Sequence, residues 1–149
     1  MTVIAYRAGV MASDSKLTGS AESYLADCKK IKKVQGWLIG AAGDFGPTEL
    51  FMARFDPKII EENRIVPWAS AGRDEDLNAL IVSPKGKIYY METNGAFAQL
   101  QAEYIAVGSG EMAAMAAMTS GATAIEACKV AIRHSNGCGG RVRCIKLGK

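Results

Sequence analysis

The sequence has a single histidine and four cysteines, Cys28, Cys128, Cys138 and Cys144, with no CxxC pair among them. Metal centres are built from clustered His, Cys and carboxylate ligands at short spacing, so none is expected, and no cofactor motif is present. The cysteines read as free thiols of a reducing compartment. A Ser-His hydrolase would have to use His134, which falls at a helix end beside Ser135, where an imidazole serves as a partner of the helix dipole. No uninterrupted apolar run approaches the roughly 20 residues that span a bilayer. The N-terminus also lacks the basic, apolar, small-residue order of a signal peptide. The expectation is therefore a cytoplasmic protein with no membrane partner. Charge of one sign is scarce too: 18 basic and 15 acidic residues leave a net +3. The excess lies mainly in "KKIKK" (Lys29 to Lys33), without interleaved aromatics, which argues against a nucleic-acid partner. There is no internal repeat and no low-complexity tract.

What is present is an ordinary globular composition, 149 residues with 49% hydrophobic and 22% charged. That is enough chain for one domain, 1–149, to bury a core without staples. "TVIAYRAGVMASDS" reads as a hairpin turning at Ala8-Gly9, and "KKIKKVQGWLIGAAG" as a second turning at Gln35-Gly36. Alternation in the second places Lys30 and Lys32 on one side of the strand. "DFGPTELFMARFDP" changes to a helical period, with Pro47 in the first turn, Leu50, Phe51 and Phe55 on one side, and Pro57 as the stop. "ENRIVPWASAGRDED" has no sustained period and reads as irregular. "LNALIVSPKGKIYYMETN" is a third hairpin, and "YIAVGSG" a strand entering a tight turn.

Two helices follow, one from Glu111 with a buried stripe of Met112, Met115 and Met118. The other is capped by Thr123 and Glu126, with Ile125, Cys128 and Ile132 on one side. "RVRCIKL" closes the chain as a strand. Strands and helices fall in runs rather than alternating, which predicts an α+β sandwich of antiparallel sheets and not a doubly wound parallel sheet.

The second residue carries the chemical interest. If Met1 is removed, Thr2 holds a hydroxyl and a free α-amine on one residue, a nucleophile and a base within reach of each other. If Met1 stays, Thr2 begins a strand. Taken alone, Asp14 between Ser13 and Ser15 is a turn acid. Lys30 is one solvated charge among several, and Gly108-Ser109-Gly110 is a strand-to-helix turn that permits close backbone approach.

Five separated pieces nevertheless line up in one order: Thr2-Val3-Ile4, "GVMASDS" around Asp14, "KKIKKV" around Lys30, "LIGAAGDFG" around Gly43, and "YIAVGSGEMAAMAA" around Ser109. In that order and spacing the chain resembles the proteasome β-subunit and HslV-like peptidase family of N-terminal-nucleophile hydrolases. The resemblance implies a four-layer αββα sandwich of two antiparallel sheets. It also implies a threonine-type peptidase acting on peptides or unfolded polypeptides, in which Thr2 attacks the carbonyl and its own amine carries the proton. Lys30 matches the family's active-site lysine, Asp14 its ion-pair partner, Gly43 the backbone N–H for the oxyanion, and Ser109 a serine near the amine.

Two departures accompany it. Where the family carries a further acid and a serine ahead of a Gly-Gly, "SNGCGG" offers Ser135 and Cys138. The long second helix before "LNALIVS" is absent, giving a reduced helical layer. That layer contributes in the family to ring contacts and docking. A homo-oligomer is expected, with the ring form and an ATP-driven unfoldase partner left open. The alternative is a non-catalytic proteasome-like scaffold or assembly subunit.

Overall fold

The computed structural model describes residues 2–18, 23–24, 27–70 and 72–148. In chain order the elements are β1 (Ile4–Arg7), β2 (Val10–Ser13), β3 (Leu17–Thr18), β4 (Ser23–Tyr24), β5 (Ile31–Val34) and β6 (Trp37–Gly43). Then come α1 (Phe45–Arg54), α2 (Lys58–Glu61), β7 (Leu77–Val82), β8 (Ile88–Glu92), β9 (Phe97–Leu100) and β10 (Tyr104–Val107). α3 (Glu111–Thr119), α4 (Ala124–His134) and β11 (Arg143–Lys146) complete the described chain. Two sheets dominate, β10-β1-β2-β11 and β5-β6-β7-β8-β9, with β3-β4 a short separate ribbon. Every pairing in the two large sheets is antiparallel.

Side chains alternate across a strand, so a run such as Leu38-Ile39 buried at both positions means a strand covered on both faces. Ile4, Tyr6 and Met11 of the first sheet meet Leu38, Leu80 and Val82 of the second, forming the layer between the sheets. A Cβ at Gly40 would lie 3.0 Å from two Ile4 side-chain carbons, so glycine there lets the sheets approach. The outer face of the first sheet, Ala5, Ala12 and Ala106, packs on Ala114 and Met118 of α3 and Ala127, Cys128 and Ala131 of α4. The outer face of the second, Ile39, Ala79 and Ile81, packs on Phe51, Phe55, Ile59 and Trp68. The order helix, sheet, sheet, helix is the four-layer αββα sandwich expected of the chain.

The helical layer on the α1 side is small, as expected: α1 has 10 residues and α2 only 4, and residues 62–76 between α2 and β7 contain no helix or strand among those described. The turn at Ala8-Gly9 has φ of 50° and 82°, and that at Gln35-Gly36 49° and 85°, both suited to two-residue hairpins. Thr123 caps α4, its hydroxyl accepting from the Glu126 N–H at 3.1 Å.

Several local expectations are corrected. The buried face of α3 is Ala114 and Met118, four apart, whereas Met112 is 82% exposed. A spacing of three drifts around a 3.6-residue turn, so three methionines cannot share one buried line. In α4 the small residues Ala124, Ala127 and Ala131 lie against the alanine-lined sheet with Cys128, and Ile125 and Ile132 flank them half-buried. Leu50 is exposed, while Phe51 and Phe55 are buried. Lys30 precedes β5 and is buried while Lys32 is exposed, because strand alternation begins only at Ile31. The edge strand β9 and the β3-β4 ribbon were not expected from the pattern.

Met118→Ala should therefore lower unfolding free energy by about 2–5 kcal/mol, and Met112→Ala by no more than about 0.5 kcal/mol. Urea denaturation of the two variants checks the difference. Equal losses would contradict this packing of α3.

Candidate active site

Thr2 lies immediately before β1, and its backbone is seated in the turn between β10 and α3. The Thr2 N–H donates to Ser109 Oγ at 3.1 Å, and the Gly110 N–H donates to the Thr2 carbonyl at 3.1 Å. That close approach needs Gly108: its φ is +101°, and a Cβ there would lie 2.2 Å from the Thr2 carbonyl oxygen. Thr2 is 5% exposed, and no hydrogen bond engages its hydroxyl among the described residues.

Asp14 follows β2 and faces Val3 across the first hairpin, its N–H donating to the Val3 carbonyl at 3.3 Å. Its carboxylate is fully buried. Oδ1 accepts from the Val3 N–H at 3.1 Å and from Lys30 Nζ at 3.0 Å, and Oδ2 accepts from the Gly139 N–H at 3.0 Å. Lys30 is 7% exposed, and its carbonyl accepts from the Ala41 N–H at 3.1 Å, which fixes it beside β6. A buried carboxylate with three donors, one of them cationic, is satisfied in the way such a group requires.

Gly43 ends β6 with φ +129°, and a Cβ there would lie 2.2 Å from the Asp76 carbonyl oxygen. The reason is a reciprocal clasp: the Asp44 N–H donates to the Asp76 carbonyl at 2.8 Å, and the Asp76 N–H to Asp44 Oδ2 at 2.6 Å.

Two clefts meet at Thr2. One, of about 70 Å³, is lined by Thr2, Lys16, Cys28, Lys30, Gly43 and Met52 among others. The other, of about 470 Å³, is lined by Thr2, Gly43, Ser109 and residues of β7, β8 and α3. The structure thus places Thr2, Gly43, Lys30 and Ser109 around one point, with Asp14 behind Lys30. A groove of about 630 Å³ between Lys32, Lys33 and Arg143 holds none of these five residues.

No family model matches the chain, and no curated protein does. Among solved structures, HslV from Trypanosoma brucei is similar over 99% of both chains, with a TM-score of 0.75 and 17% identity. The chain has the HslV fold. Thiobacillus denitrificans BPH in complex with epoxomicin is similar over 99% of both chains, TM-score 0.67 and 17% identity. A second structure of Thiobacillus denitrificans BPH is similar over 99% of this chain and 98% of the other, with a TM-score of 0.66 and 17% identity.

Within this HslV-like fold other residues stand apart from the cluster. His134 is exposed at the end of α4 and lines neither cleft at Thr2, and Ser135 is the α4 C-cap. Cys138 is buried, and burial is the main cause pushing its thiol up. Cys128, deeper under α4, is pushed up to about 12, chiefly by burial. Burial disfavours the thiolate, the nucleophilic form, at both. The sequence reading missed the Gly139 N–H on Asp14 and the Asp44-Asp76 clasp. Both are backbone contacts between segments remote in sequence, and residue type carries no signal of them.

Asp14→Asn would place an amide NH₂ among groups that are all donors and leave the buried Lys30 without its carboxylate. Unfolding free energy should fall by about 3–5 kcal/mol, measured by chemical denaturation. A loss under about 1 kcal/mol would show that the Asp14 cluster does not hold these segments together.

Proposed function

We propose that the chain is a threonine-type peptidase that hydrolyses peptides or unfolded polypeptides, with Thr2 as nucleophile after removal of Met1, which lies outside the described residues. The observation that carries this reading is the convergence of a buried Thr2, its hydroxyl unengaged, with Lys30 and Gly43 around one cleft, in a chain with the HslV fold.

In this reading the Thr2 Oγ attacks the scissile carbonyl carbon while the free Thr2 amine takes the hydroxyl proton. The carbonyl π pair moves onto oxygen, and the Gly43 backbone N–H stabilises that oxyanion. Collapse expels the leaving amine, which receives the proton from the Thr2 amine, and an ester on Thr2 remains. Water then attacks the ester by the same route and frees Thr2. Lys30, held by Asp14, supplies a fixed positive charge that stabilises the developing alkoxide and disfavours protonation of the nearby amine. Ser109 accepts from the Thr2 N–H and so orients the nitrogen that must act as base.

A homo-oligomer in the cytoplasm, with a ring as one form, goes with this reading, and no helix among the described residues is long and apolar enough to cross a membrane. An ATP-driven unfoldase is not included, given the 4-residue α2. The second reading, a non-catalytic proteasome-like subunit, draws on Ser135 standing where the resembled family has an acid.

Thr2→Ala should lower kcat on an unstructured peptide by at least about a thousandfold, with the far-ultraviolet circular dichroism of the wild type retained. Lys30→Ala should lower it as far while also reducing unfolding free energy by about 3–5 kcal/mol, because it strips the buried Asp14 carboxylate of its cation. His134→Ala should leave the rate within about twofold. Turnover retained in Thr2→Ala would overturn the mechanism. Absence of turnover in the wild type, with Met1 removed and oligomer formed, would favour the scaffold.

A further inference from the structure

Charge changes sign across Thr2. The smaller cleft carries the cations Lys16, Lys29 and Lys30 with one acid, Glu49. The larger one carries Asp44, Asp76 and Glu111 and no Lys or Arg. Their carboxylates are not spent on neighbours: neither Asp76 nor Glu111 forms an ion pair among the described residues, and Asp44 keeps Oδ1 free of a hydrogen bond there. The Asp44-Asp76 clasp holds two of them on a fixed backbone rather than on a loose loop.

At the back of the cleft Tyr90 donates to Asn78 Oδ1 at 2.5 Å. Burial, and to a lesser extent the carboxylates of Glu92, Glu111 and Asp76, push the Tyr90 phenol up. The residue proposed as nucleophile borders this cleft as well. The hydroxyl of Thr2, on a residue 95% buried by its 5% exposure, is unengaged among the described residues, and Thr2 forms the wall common to both clefts.

We infer that the larger cleft receives a cationic side chain, Lys or Arg, from the substrate peptide, on the side of the reacting carbonyl away from Lys30. The inference names a substrate class for the proposed peptidase and rests on that reading for its chemistry. The charge selection itself is a binding property that does not require turnover. A guanidinium or ammonium brought between Asp44, Asp76 and Glu111 gains two or three attractions without displacing an existing cation. Exposed pairs of this kind are individually weak, so the selection is about fivefold to tenfold and falls with salt. A glutamate in the same position meets like charge and is disfavoured.

The test uses the full-length protein carrying Thr2→Ala, which binds without cleaving. Fluorescein-labelled decapeptides, identical except for a central Lys-Lys, Gln-Gln or Glu-Glu, are titrated by anisotropy at 50 and 300 mM NaCl. The Lys-Lys peptide should bind about fivefold to tenfold more tightly than Gln-Gln at low salt, with the advantage reduced at high salt. It should also be lost when Asp76→Asn and Glu111→Gln are added, singly or together. These side chains are exposed and make no hydrogen bond among the described residues, so the fold does not depend on them. Equal or undetectable binding of the peptides, or a Lys-Lys preference that survives both substitutions, would overturn the inference. Whether the wild-type protein cleaves the Lys-Lys peptide is scored separately, so loss of the peptidase reading and loss of the charge preference are distinct results.

Discussion

The contact on which the arrangement depends is the buried Asp14 carboxylate. It receives the backbone N–H of Val3 just ahead of β1, the N–H of Gly139 from the segment after α4, and the ammonium of Lys30 ahead of β5. A carboxylate removed from water must find such donors or be neutralised, and each donor here belongs to a different part of the chain. Satisfying one charge therefore fixes three positions: the strand that carries Thr2, the loop that carries Cys138, and the lysine that lines the cleft beside Thr2. The pair serves specificity of arrangement more than net stability, since a buried ion pair gains little over an apolar isostere while its rupture is costly.

Around that anchor the fold needs close backbone approach, and small residues supply it. Alanines from both α4 and the first sheet let helix and strand meet. Gly40 lets the two sheets meet, and Gly108 lets the α3 turn close over the Thr2 carbonyl. The cleft geometry follows from the packing rather than from flexible loops: Gly43 ends a buried strand, and Asp44 and Asp76 are tied by one backbone–backbone hydrogen bond and one from the Asp76 N–H to the Asp44 carboxylate. A site supported in this way is preorganised, which is what charge stabilisation at a reacting carbonyl requires.

Much of this was legible in the sequence, and the boundary of legibility has physical causes. The hairpins at Ala8-Gly9 and Gln35-Gly36, the Thr123 cap and the segregation of strands from helices are local signals, and they led to the layered sandwich. Residue-level burial was less legible. Met112 and Leu50 are apolar yet exposed, because helix geometry and the sheet against which each helix packs decide which face is covered. Lys30 could not be distinguished from Lys32 by alternation, since the strand begins between them. Of the five candidate residues, Asp14 and Ser109 read as turn residues when taken singly. Only the order of the separated pieces joined them, and the structure now shows Ser109 against the Thr2 nitrogen and Asp14 against Lys30. The acidic cleft was invisible, because Asp76 sits in a segment without periodicity and Asp44, Asp76 and Glu111 are brought together from three distant places.

The central claim, the proposal that Thr2 is a competent N-terminal nucleophile, is tested most directly by intact mass spectrometry of the protein expressed in a bacterial cytoplasm, before and after incubation with a peptide electrophile selective for N-terminal threonine. The account predicts a chain lacking Met1 that gains the mass of one electrophile, with no gain in Thr2→Ala. A chain that retains Met1 and takes no adduct, or an adduct that persists in Thr2→Ala, would contradict it.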